Sequence, residues 1–115
     1  MCIRDSAKGS DTFCPLGPWM VTHFSVAEAG NVRLRTTVDG TVCQESSTSE
    51  MIRSVSELVS EISSRLTLLP GDVILTGTPA GAATVVPRQQ VEVEIEGIGT
   101  LVNSVVAGQN AVVEG

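Results

Sequence analysis

A single lysine, Lys8, occurs in this chain of 115 residues. It opens the run Lys8-Gly9-Ser10-Asp11-Thr12-Phe13-Cys14-Pro15-Leu16-Gly17-Pro18, whose glycines, prolines and small polar residues are loop chemistry with little room for a regular element. A loop so rigidified is built to present groups more than to link. A lysine held there can bind a carboxylate, polarise a carbonyl or, when desolvated, act as a base. The competing reading is a surface cation near the chain start. Thr12, four residues on, either places a hydroxyl beside that ammonium or bonds its own backbone, as loop threonines do. A second candidate is Gly77-Thr78-Pro79-Ala80-Gly81. It lacks the Gly-Lys-Ser/Thr ending of a phosphate-cradling loop. It does offer a glycine that lets backbone approach a ligand, a threonine with a donor, and a proline that fixes the turn. A structural turn and a ligand contact both fit.

Other reactive side chains read as structural. His23 has no carboxylate at a useful spacing and reads as a surface histidine. Asp11 has no surrounding oxygen ligands, and hard cations need several. Cys14, before Pro15, reads as a small buried hydrophobe. Glu92, Glu94 and Glu96 share one strand face and read as solvated protection of a sheet edge. Cys2, Cys14 and Cys43 are odd in number and lack C-x-x-C spacing, so neither a disulfide framework nor a zinc site is expected, and a reduced, cytoplasmic setting follows.

The elements that must position these groups are legible from pattern. Trp19-Met20-Val21 can open a short strand, and His23 to Gly30 reads as a connection. Val32, Leu34, Thr36 and Val38 alternate up to Asp39-Gly40, with Val42 and Gln44 alternating beyond it, which predicts a two-residue β-hairpin. Ser47 with Glu50 three residues later forms a capping box, with Thr48 as the other possible cap. Ile52, Val55, Leu58, Val59, Ile62 and Leu66 then predict one amphipathic helix of about four turns. Pro70-Gly71-Asp72 ends it, and Val73-Ile74-Leu75-Thr76 reads as a buried strand delivering Gly77 and Thr78 at its end. Val91 to Ile95 and Thr100 to Val106 flank Gly97-Ile98-Gly99 as a final hairpin. One helix among hairpins defines an α+β, mainly β class.

Composition narrows the function classes. Thirteen acidic against seven basic side chains give a net charge of −6, a poor match for a phosphate backbone, so nucleic acid is not an expected partner. No apolar run approaches the roughly 18 residues of a membrane helix. Met1 to Ser6 carries no signal-peptide h-region and no element pattern, and is expected to be an extraneous or truncated start. Residues 7–107 then form the functional portion and residues 108–115 a tail.

Five ordered blocks carry a resemblance. They are Lys8 to Trp19, Asp39-Gly40 to Gln44, Thr48-Ser49-Glu50-Met51-Ile52, Leu69 to Gly81, and Val93 to Gly99. Together they resemble the C-terminal half of the fumarylacetoacetate hydrolase family. The resemblance implies a mixed β-roll, a homodimer, and a divalent cation, Mg²⁺ with Mn²⁺ or Ca²⁺ as substitutes. It implies small 2-oxo acid substrates, such as acylpyruvates, oxaloacetate and hydroxymuconate-type dicarboxylates. Reactions would be C–C hydrolysis, isomerisation or decarboxylation through a metal-stabilised enolate. Lys8 matches the family's active-site lysine, Thr12 a threonine beside the metal, and Thr78 with Gly77 the group that holds the substrate carboxylate.

Two departures accompany it. The family's acidic metal ligands and its water-activating His/Glu pair precede the lysine loop, which here begins at residue 7. The chain is therefore expected to be a fragment, inactive alone. The family's usual Gly-Asp pair before the final hairpin is also missing, with Arg88-Gln89-Gln90 in its place. The alternative class is a non-catalytic β-rich module that uses the same loops for binding or dimerisation.

Overall fold

The structure, a computed structural model, describes residues 11–107. The expected foreign start at Met1 to Ser6, Lys8 itself and the tail at 108–115 lie outside the described residues.

Four strands form one antiparallel sheet: β1 (Arg33–Val38), β2 (Thr41–Ser47), β3 (Gln90–Ile95) and β4 (Gly99–Ser104), in the order β2-β1-β3-β4. Two short helices, α1 (Val26–Ala29) and α2 (Val55–Ser63), and a 3₁₀ turn at Thr48–Glu50 complete the regular elements. The α+β, mainly β class stands. Asp39 and Gly40 both take positive φ, 49° and 77°, the left-handed pair that a tight hairpin turn requires. Leu34, Thr36 and Val38 face Ile95, Val93 and Val91 across β1 and β3, so the predicted apolar alternation is the register itself.

The alternation breaks in β2. Thr36 pairs with Gln44 but Thr37 with Val42, leaving Cys43 as the extra residue of a β-bulge. Val42 and Gln44, expected on one face, are thereby turned to opposite faces.

Several elements differ from expectation for identifiable reasons. The glutamates of β3 do not guard an edge, because β3 is flanked by β1 and β4. Glu94 instead pairs with Arg35 across the ladder at 2.6 Å. The helix does not start at Ser47. Ser47 caps only the 3₁₀ turn, accepting from the Ser49 N–H, and the chain is extended again at Met51. A second Ser-x-x-Glu box, Ser54 and Glu57, starts α2, where Val55, Leu58 and Ile62 supply the half-buried stripe. Ile52, 103% exposed, and Leu66 fall outside the helix, so it is nine residues long and not four turns. Ser25 and Glu28 likewise form a capping box that turns part of the expected His23–Gly30 connection into α1. Trp19-Met20-Val21 is not a strand.

Val73-Ile74-Leu75-Thr76 is not a strand, and Val73 is 57% exposed. A strand needs a neighbour for its amides and carbonyls, and no backbone hydrogen bond reaches these four residues among those described. Val32, at 7% exposure, is the one buried apolar residue among the described residues. Among them no helix is long and apolar enough to cross a membrane.

Candidate functional site

A cleft of about 720 Å³ opens between the start of β1, the end of β2, the segment leading into α2, and the 76–80 loop. Thr76, Gly77, Thr78, Pro79 and Ala80 form one wall, and Ser46, Ser47, Thr48, Glu50 and Arg53 contribute to the other, with Leu34, Met51 and Leu58 supplying apolar surface. Hydroxyls, one carboxylate and one guanidinium thus rim a concave space with an apolar lining, an arrangement suited to a small polar molecule. Glu50 accepts from the Ser46 hydroxyl at 2.6 Å, and Arg53 is paired with Glu61 on α2.

The 76–81 loop is anchored by the bulge in β2. Gly81 has φ +92°, and a Cβ there would lie 2.2 Å from the Cys43 carbonyl oxygen. Only glycine lets the loop approach the bulged strand this closely. One residue past the bulge, the Gln44 side-chain amide donates to Thr78 Oγ1 at 2.9 Å and to the Pro79 carbonyl at 2.8 Å. Gly77 takes φ +111° with open space on its Cβ side. Thr78 is exposed at the cleft wall.

Of the candidates drawn from sequence, Gly77 and Thr78 therefore line one cleft. Thr12 lies in the exposed 11–18 loop and does not line it, but it carries φ +68°, a conformation that β-branched residues rarely adopt. Lys8 lies outside the described residues. Cys14 is exposed and is not the buried hydrophobe expected. His23 is exposed, stacked on Phe24 with ring centroids 5.8 Å apart, in keeping with a surface histidine. Gln44 was a motif residue without a role in the sequence reading. Its position after the bulge was hidden, because the signal is a register shift and not a residue type.

The capping glutamates are the perturbed acids. Hydrogen bonds from the Ser54 backbone and then its hydroxyl hold Glu57 below its ordinary value of 4.5. The Ser25 hydroxyl, then its backbone N–H, does the same for Glu28. Neither lines the cleft. Among the described residues no three His, Cys, Asp or Glu side chains gather to hold a metal ion. The described residues therefore do not fit the divalent cation that the resemblance implies.

Residues 4–106 match the fumarylacetoacetate (FAA) hydrolase C-terminal family, and the chain belongs to it. The 4-hydroxyphenylacetate degradation bifunctional isomerase/decarboxylase of Salmonella dublin is 44% identical over 104 residues, covering 90% of this chain and 24% of that protein. The crystal structure of 5-carboxymethyl-2-hydroxymuconate delta-isomerase from Mycobacterium smegmatis superposes with a TM-score of 0.84 at 50% identity, over 90% of this chain and 41% of that one. Maleylpyruvate hydrolase from Sphingobium sp. SYK-6, in complex with manganese (II) ion and pyruvate, gives 0.81 at 33% identity, over 86% and 38%. The chain spans between about a quarter and two-fifths of the length of the curated relatives it matches.

Proposed function

We propose that this chain is the C-terminal portion of the catalytic domain of an FAA hydrolase family enzyme acting on a small 2-oxo acid. The observation that carries the reading is the Gly77-Thr78 wall of the cleft, held to β2 through Gln44, in a chain of this family. In this reading Thr78 donates its hydroxyl to the substrate carboxylate, and Gly77 lets the carboxylate approach the backbone. The Lys8 ammonium offsets the charge that develops on the 2-oxo oxygen as an enolate forms. Acylpyruvates, oxaloacetate and hydroxymuconate-type dicarboxylates all present that carboxylate and carbonyl pair. The named activities of the relatives, isomerase, decarboxylase and hydrolase, each fit an enolate on such a substrate.

We infer a divalent cation requirement, with Mg²⁺, Mn²⁺ or Ca²⁺ as candidates, supported by the manganese and pyruvate held by the Sphingobium enzyme. Its ligands would lie outside the described residues, with Thr12 near the ion by resemblance alone. A homodimer and a cytoplasmic setting complete the proposal.

The test begins with the gene. An upstream reading frame carrying a Glu-x-Glu motif and an Asp shortly before Lys8 is expected; a promoter and start codon immediately before Met1 would favour a binding module instead. The complete enzyme should then turn over oxaloacetate, an acylpyruvate or a hydroxymuconate-type dioate with Mg²⁺ or Mn²⁺ and stop on chelation. Inactivity on all three substrates with either metal would overturn the assignment.

A further inference from the structure

Resting on that reading of Thr78, we propose that Gln44 is a positioning residue that fixes the Thr78 hydroxyl as a donor toward the cleft. The argument is a count of protons. The Pro79 carbonyl can only accept, so the Gln44 group 2.8 Å from it is the amide nitrogen, which sets the orientation of the side chain. That nitrogen has two protons. One goes to Pro79 O and the other to Thr78 Oγ1 at 2.9 Å. The threonine oxygen is thereby committed to accept on that side, and its own single proton must be donated elsewhere. Among the described residues Thr78 Oγ1 has no second side-chain partner. The remaining direction is the cleft that Thr78 lines.

A hydroxyl free to rotate offers a ligand carboxylate either its proton or its lone pairs. With the Gln44 amide in place one lone pair is taken and the proton is turned away from Gln44 toward the cleft, where a carboxylate is the acceptor that suits it. The β-bulge at Cys43 is what brings this about. It turns Gln44 to the Leu34 and Ser46 face, both of which line the cleft, while Val42 is sent to the other face. Gly81 keeps the loop within reach by admitting the Cys43 carbonyl where a side chain would stand.

The test is a double-mutant cycle in the complete enzyme, with KM for oxaloacetate, or for whichever 2-oxo acid it turns over, and the inhibition constant of pyruvate as readouts. Gln44→Met keeps length and volume but has no donor; Gln44→Asn keeps the donors but is one methylene too short. Each is expected to raise KM and the pyruvate constant about five- to tenfold with kcat nearly unchanged, the pattern of an interaction made equally in ground and transition states. Neither should add to the effect of Thr78→Val. Should the methionine variant fail to fold, the asparagine variant carries the same comparison. Unchanged KM in a Gln44 variant, or an equal rise in the Thr78→Val background, would overturn the proposal, the latter by showing that Gln44 acts through loop shape. An unchanged KM in Thr78→Val alone would instead overturn the assignment of Thr78, and with it the reading on which this rests.

Discussion

The Cys43 carbonyl occupies the space that a side chain at Gly81 would need: a Cβ there would stand 2.2 Å from the oxygen. The oxygen is backbone at the β2 bulge and cannot swing aside as a side chain would, and φ at Gly81 is +92°. Gly81→Ala is expected to destabilise the protein by about 1–3 kcal/mol through overpacking and backbone strain. It should also raise KM, because the loop that is pushed away carries Thr78. Gly71→Ala, at φ +98° but with nothing within 4 Å, should show the backbone cost alone and leave KM unchanged. Equal thermal shifts in the two variants would show that the contact with Cys43 does not matter.

Acid should weaken α2 through Glu57. Its carboxylate is held below the ordinary 4.5 by the Ser54 backbone N–H and hydroxyl. A depressed acid contributes stability that is fully present above its ordinary value and is lost as the pH falls through the lowered one. Glu28 at α1 acts with the same sign. The difference in Tm between the parent and Glu57→Gln should therefore shrink between pH 6 and pH 3. A difference that stays constant across that range would remove the capping carboxylate from the account.

That helix also marks where pattern reading reached and where it stopped. The hairpins were legible because Asp39-Gly40 dictates its own turn and because Leu34, Thr36 and Val38 alternate against Val91, Val93 and Ile95. The start of α2 was not, because two Ser-x-x-Glu boxes, at Ser47 and Ser54, carry the same local signature. What separates them is the extended backbone at Met51, which ends the first turn and which neither box announces. Thr78 was legible as a donor at the end of an apolar run. Its partner was not, since Gln44 reaches it only because Cys43 is bulged, and nothing in Val42-Cys43-Gln44 announces a bulge. The run Val73 to Thr76 has a strand's composition, yet pairing needs a neighbouring strand, and the described residues hold none for it.

Arg88 stands at φ +79° in the turn before β3, its N–H donating to the Val105 carbonyl at 2.8 Å. A non-glycine residue in the left-handed region is strained by about 1 kcal/mol, part of which a glycine gives back through the greater freedom of the unfolded chain. The resemblance expects a Gly-Asp pair in this segment. Arg88→Gly is thus expected to leave stability unchanged or raise it by up to about 1 kcal/mol, in contrast to the loss that an arginine-to-glycine change causes in an ordinary turn. Denaturant melts of the two proteins decide it, and a loss of more than about 1 kcal/mol would show that the Arg88 side chain makes a stabilising contact.

No three potential metal ligands gather among the described residues, and the chain spans at most about two-fifths of its curated relatives. Calorimetric titration of the 115-residue chain with Mn²⁺ or Mg²⁺ should accordingly show no tight site, and no turnover of oxaloacetate should follow. Saturable Mn²⁺ binding by this chain would place a complete donor set within it.

Lys8 and Thr78 should fail differently in the complete enzyme. A cation that acts on charge developing during the reaction is felt mainly in kcat, because the ground-state ketone carries little of that charge. Lys8→Ala is expected to lower kcat by about 10²–10³-fold with a smaller change in KM. A hydroxyl on the substrate carboxylate meets the same full charge before and during the reaction, so Thr78→Ala should raise KM about five- to tenfold and leave kcat nearly intact. Lys8→Arg, which keeps the charge but not the compact ammonium, should recover only part of the rate. The separation of kcat from KM is the decisive reading: both variants raising KM alone would make Lys8 a second carboxylate ligand, and near-normal kinetics in both would remove the two residues from the site.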